Sequence, residues 1–123
     1  MTEDNNKRKI ILSIIIPIYN AEYFIETAIV SILRQIQPWV QIILINDGSS
    51  DSSEKVCKKY ISTQVSYYHI TNSGAGYARN FGIEHSRGEW IMFLDSDDLI
   101  LDNFFNNRLY QYLTECKNNL IDI

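Results

Sequence analysis

Three aspartates, Asp95, Asp97 and Asp98, stand directly behind the apolar run Trp90 to Leu94 in the stretch GEWIMFLDSDDL, with only Ser96 among them. Neighbouring carboxylates repel one another, and each resists being held beside an apolar core unless hydrogen bonds, water or a cation compensates it. Hard divalent cations take oxygen ligands and bind through one or two carboxylates together with a substrate's phosphates. Asp95 and Asp97, as alternate residues, can turn towards one such site. Asp98 and Asp102 suit the positive end of a following helix instead.

Three more polar stretches hold the other side chains with chemistry to offer: PIYN (Pro17 to Asn20), NDGSSD (Asn46 to Asp51) and TNSGAGYARN (Thr71 to Asn80). In NDGSSD, Gly48 permits a sharp turn. Asp47 can accept a hydrogen bond from the ring nitrogen of a base, or it can simply cap the next helix. TNSGAGYARN opens like a dinucleotide fingerprint with Gly74 and Gly76 but has Arg79 where the third glycine should be. Such a loop can still take an anion on its backbone donors, with Arg79 adding a planar fork for phosphate oxygens. A flexible loop with a surface arginine is the plainer alternative.

The elements that must position these stretches follow from the apolar pattern. Strand-like runs are IILSIIIPI (Ile10 to Ile18), VQIILIN (Val40 to Asn46), VSYYHI (Val65 to Ile70) and WIMFL (Trp90 to Leu94), each short and rich in β-branched or aromatic residues. Between them lie helical periods. Phe24, Ile25, Ala28, Ile29, Ile32, Leu33 and Ile36 recur at three and four, with Pro38 closing that helix. Asp51 and Glu54 stand at capping-box spacing before a short helix whose inner face is Val56, Cys57, Tyr60 and Ile61. A third helix is expected from Tyr77 to His85. A fourth is expected from Leu101 to Cys116, burying Phe104, Phe105, Leu109, Tyr112 and Leu113.

Strand and helix in alternation predict a mainly parallel, Rossmann-like α/β sheet covered on both faces. Ligands of such sheets bind at the carboxyl ends of the strands, and all four polar stretches fall there.

Composition sets the outer bounds. A chain of 123 residues, 46% hydrophobic and 21% charged, suits one globular domain, and no apolar run approaches the roughly 20 residues of a spanning helix. A formal net charge of -4 argues against a broad nucleic-acid surface. Residues 1–9, with the basic cluster Lys7, Arg8 and Lys9, read as a solvated polar leader, and residues 10–123 as the domain. Cys57 and Cys116 read as reduced thiols of a cytosolic chain.

SIIIPIYNAE, ILINDGSSD, NSGAGYARNFGI and GEWIMFLDSDD, in this order and at these separations, resemble the nucleotide-sugar-binding half of the family 2 glycosyltransferases of the GT-A fold. The resemblance runs from about Ser13 to Leu99. It implies that Pro17 and Tyr19 line the base pocket, that Asp47 binds uracil or another base, and that Asp95 lies by the ribose. It implies further that Asp97, as the second carboxylate of a DxD motif, ligates magnesium or manganese on the diphosphate. Asn46 is a departure, since the family often has Asp there. With the strand-end loops, the substrate-binding candidates become Pro17, Tyr19, Asn20, Asp47, Asn72, Gly74, Arg79, Asp95 and Ser96, and the metal ligand Asp97.

The implied activity is sugar transfer, with inversion, from a nucleotide-sugar, foremost a UDP-sugar, to a glycan or lipid-linked acceptor in surface polysaccharide synthesis. The place of work is the cytoplasm, with membrane association of a full-length protein left open. The general base of such a reaction belongs to an acceptor half expected beyond residue 123, and LIDI at the end reads as the start of another strand. By this reading the chain is an incomplete domain, inactive alone. A nucleotide-diphosphate-binding module without transfer activity, or a metal-dependent nucleotidyltransferase, would use similar residues. The second should also show a basic, glycine-rich phosphate loop after its first strand, and PIYNAE is neither basic nor glycine-rich.

Overall fold

The structure, a computed structural model, describes residues 9–119. The expected leader, apart from Lys9, and the expected strand LIDI lie outside these residues. Four strands, β1 (Leu12–Ile18), β2 (Val40–Asp47), β3 (Val65–Ile70) and β4 (Trp90–Phe93), alternate with α1 (Ile25–Leu33), α2 (Ser53–Lys58), α3 (Ala75–Glu84) and α4 (Asn107–Asn119). All strand pairs are parallel, in the order β3-β2-β1-β4.

The isoleucine runs have a physical reason in this order. β1 and β2 are the inner strands, so both of their faces must be apolar. Ile14, Ile16, Ile42 and Leu44 face one layer with Ile25, Ile29 and Ile32 of α1 and Cys57 of α2. Ile15, Ile43 and Ile45 face the other with Ala78 of α3. Each fully buried Ile contributes about 1.5–3 kcal/mol by leaving water. Gly82 lets α3 approach closely, because a Cβ there would stand 2.5 Å from Ile15 Cγ2.

Several boundaries depart from the apolar pattern. β4 is an edge strand rather than a fully buried one. Trp90, Ile91 and Met92 are half-buried and Phe93 is 44% exposed. α1 ends at Leu33, short of Pro38, and Phe24 stands outside it, exposed. Ile61 and Tyr112, expected to face the core, are exposed as well. α4 begins at Asn107, not Leu101. The apolar residues before it belong to a loop pinned on α1 and the turn after it, where the Ile100 amide donates to Ser31 Oγ (3.1 Å) and the Phe104 amide to Gln35 Oε1 (2.8 Å). Asn103 adopts a positive φ of 63°, and Asn106 Oδ1 accepts the Leu109 amide, a helix-start bond. Asp98 and Asp102 therefore do not lie at a helix start.

This topology places a switch at β1. From β1 the chain steps to β2 on one side, while β4 joins on the other, so a crevice opens at their carboxyl ends. Among the described residues, no helix is long and apolar enough to cross a membrane.

Candidate functional site

That crevice is a cleft of about 360 Å³, and Pro17, Tyr19, Asn20, Asp47, Arg79, Asp95, Ser96 and Asp97 all line it. Four loops distant in sequence thus converge on one volume. Asn72 and Gly74 do not line it. They stand behind Asp47 and hold it.

Asp47 ends β2 and is only 3% exposed. Its carboxylate accepts the Ser73 amide on Oδ1 (2.8 Å) and the Gly74 amide on Oδ2 (2.9 Å), while Asn72 Nδ2 donates to its carbonyl oxygen (2.9 Å). Asp47 therefore does not cap the next helix, α2, whose N-cap is Ser52. It ties down the loop that starts α3, and it still faces the cleft, where a carboxylate oxygen has lone pairs left for a further donor. Gly48 makes this junction possible. Its φ is +70°, and a Cβ on it would lie 2.7 Å from the Asn72 backbone nitrogen.

Asn46, fully buried, donates through Nδ2 to the Tyr67 hydroxyl (2.9 Å) and accepts the Ser49 amide on Oδ1 (3.1 Å). Tyr67 in turn donates to Glu54 Oε1 (3.3 Å). Burial, aided by the nearby Glu54 charge, pushes the Tyr67 hydroxyl up to about 12, although the bond from Asn46 pulls the other way. The hydroxyl is thus a fixed proton donor, and an amide at position 46 supplies the matching N–H. A carboxylate there would compete with Glu54 for the same proton.

Across the cleft, Leu94 is held by its amide on Ile15 O (3.0 Å), and the chain then turns, with the Asp98 amide on Asp95 O (3.0 Å). The turn gathers Asp95, Asp97 and Asp98, one carboxylate oxygen of each lying within 4.8 Å of the others, all three exposed. Asp98 is the residue that sequence reasoning set aside. The misplaced start of α4 drew it to a helix that begins further on. Hard oxygen donors grouped in this way fit a divalent cation such as magnesium or manganese. Arg79, on α3, is the one cation among the lining residues, and its guanidinium carbon sits 5.9 Å from the centre of the Phe93 ring. Phe24 also lines the cleft, missed because its spacing matched the buried stripe of α1. Its place just before the helix, beside PIYN, was the available signal.

The sequence matches the glycosyl transferase family 2 profile over residues 13–122. It is 40% identical over 113 residues to the minor teichoic acid biosynthesis protein GgaB of Bacillus subtilis, a match covering 88% of this chain and 12% of that protein. It is 40% identical over 116 residues to EpsJ of the same organism, an uncharacterised glycosyltransferase, covering 92% of this chain and 32% of EpsJ. A crystal structure of S. aureus TarS with UDP superposes with a TM-score of 0.75 at 27% identity, over 89% of this chain and 32% of that one. TarS has also been solved with UDP-GlcNAc. The chain thus spans a third or less of these proteins, and its sheet is of the GT-A type.

Proposed function

The chain belongs to glycosyl transferase family 2, and from that premise we propose that its cleft binds a nucleotide-sugar, foremost a UDP-sugar, as the donor of a transfer that builds a surface polysaccharide. The observation that carries this is the convergence of Tyr19, Asp47, Arg79, Asp95 and Asp97 on one cleft at the switch between β1 and β4. The kinship with TarS, solved with UDP and UDP-GlcNAc, supports the choice of donor, and that with GgaB supports a wall or surface polymer as the product.

In this reading Tyr19 and Pro17 flank the base, and Asp47 accepts an N–H from it. Arg79 faces the diphosphate. Asp97, with Asp95 and Asp98 beside it, would hold a divalent cation, which when bound neutralises phosphate charge and stabilises the leaving nucleoside diphosphate. The chain's own part is to fix the donor between a hydrogen-bonding wall and an acidic turn. Transfer with inversion at the anomeric carbon, and work at the cytoplasmic side of a membrane, belong to the same proposal. Attack by the acceptor requires a base within hydrogen-bond reach of its hydroxyl. The carboxylates in the cleft are given donor-side roles in this scheme.

Calorimetric titration with UDP, with and without manganese, tests the reading. Binding that is at least tenfold tighter with manganese is expected. Equal affinity in excess chelator would remove the metal from the scheme, and no binding in either condition would remove the donor.

A further inference from the structure

Tyr19 and Phe24, each 55% exposed, form the mouth of the cleft, and both sit in the segment between β1 and α1. That segment is short of regular structure, yet three consecutive amides in it are each taken by a different side chain of the β2–α2 loop or the start of α2. The Asn20 amide donates to Ser49 Oγ (2.9 Å), the Ala21 amide to Ser53 Oγ (2.9 Å) and the Glu22 amide to Asp51 Oδ2 (3.1 Å). The bonding is reciprocal. The Ser50 amide donates to Asn20 Oδ1 (2.8 Å) and the Ser52 amide to Glu22 Oε1 (2.7 Å).

Asn20 holds a φ of 49°, a conformation that Asn tolerates better than most residues but that needs support. The Asp51 carboxylate works in both directions. One oxygen takes the Glu22 amide across the gap, and the other takes the amide of Ser53 at the start of α2 (2.9 Å). Ser53 is fully buried, and the same residue holds Ala21. Removing the Asp51 carboxylate would therefore loosen two of the three amides at once, one directly and one through Ser53.

We propose that Asp51 is a positioning residue for donor binding: by fixing the backbone at Ala21 and Glu22 it sets how Tyr19 and Phe24 wall the cleft, and so sets the affinity for a nucleoside diphosphate. Asp51 does not itself line the cleft. The proposal rests on the donor-binding reading above. A preorganised wall saves the ordering of a loop on binding, which is why a residue that touches no ligand can change affinity.

Two readouts test it on the whole chain. Amide hydrogen exchange at residues 20–24 is measured without ligand, and UDP affinity is measured by calorimetry with manganese. For Asp51→Ala, exchange at Ala21 and Glu22 should rise at least tenfold and UDP should bind about tenfold more weakly. Asp51→Asn keeps one acceptor oxygen and should fall between Asp51→Ala and the unchanged protein. It also serves as the working variant if Asp51→Ala does not fold. Unchanged exchange in either folded variant would overturn the proposal, and so would faster exchange with UDP affinity within twofold of the original. If the unchanged protein binds no UDP, the donor reading itself fails and takes the ligand half of the proposal with it. That result is distinct from the two failures of Asp51.

Discussion

On the β2 side of the cleft, Asp47 is 3% exposed and both of its oxygens accept backbone amides, whereas on the β4 side Asp95, Asp97 and Asp98 are exposed and lie with oxygens within 4.8 Å of one another. The same residue type is used in two opposite ways. The buried carboxylate is compensated by the protein's own donors, so it contributes to the fold as well as to the site. The exposed ones are hydrated and repel one another, so they contribute little to the fold and a great deal of negative potential to the cleft. Substitutions on the two sides should therefore report different quantities, stability on one and metal-dependent binding on the other.

The strongest test of the rigid side is Gly48→Ala. A left-handed φ costs an ordinary residue about 1–2 kcal/mol, and a Cβ would also stand 2.7 Å from the Asn72 backbone nitrogen. Together a loss of about 3 kcal/mol is expected on urea unfolding, since overpacking adds a comparable penalty. A loss below about 1 kcal/mol would show that the junction around Asp47 is softer than its geometry implies. Asp47→Ala comes next, at about 2 kcal/mol, for removing the acceptor of two amides at a charged group.

The acidic side should behave in reverse. Asp97→Asn is expected to weaken manganese-dependent UDP binding more than tenfold while leaving the unfolding midpoint unchanged or slightly raised, because it removes one of three neighbouring like charges. Asp102→Asn lies in the loop before α4 and should do neither. A fall in stability for Asp97→Asn as large as that for Asp47→Ala would erase the distinction between the two sides. A smaller effect is expected where the sides meet. Phe93→Leu removes the ring beneath Arg79, and UDP should bind about threefold more weakly, in line with the modest strength of an exposed cation–π contact. The loss should vanish when Arg79 is already alanine.

How far the sequence alone reaches differs along the same divide. The Ile-rich inner strands were legible because two-sided burial leaves a continuous apolar run, and the strand-end loops followed from them. Asp47 was legible as a residue of the cleft, but the loop it ties down starts α3 rather than the next helix, a tertiary pairing that its place in NDGSSD does not announce. The segment from Leu101 to Phe105 is not legible as a loop, because its apolar residues imitate helical spacing, whereas bonds to Ser31 and Gln35 hold this stretch out of the helix. Asn106 was a usable N-cap signal there, and heeding it would have returned Asp98 to the acidic turn. The lacing around Asp51 could not have been read from the sequence. Serines and aspartates in a turn announce capping, but their partners lie about thirty residues away in the β1–α1 segment, a pairing that only the tertiary fold creates.

The smallest effect is a pH dependence of that lacing. Partial burial pushes the Asp51 carboxyl up, but hydrogen bonds from Ser53 and from the Glu22 amide outweigh it and hold the group below its ordinary value. A carboxyl lowered in the folded state stabilises it at all pH values above the unfolded pKa, about 3.9, and that contribution is lost as pH falls through the lower, folded pKa. The Glu22 amide resonance should therefore stay constant from pH 8 to 5 and move only below about pH 4, as protonation of Asp51 weakens its acceptor. Asp51→Asn should abolish the step at the Glu22 amide, because a carboxamide does not titrate there. A step at the Glu22 amide that survives in Asp51→Asn would leave Asp51 without a part in the acid response.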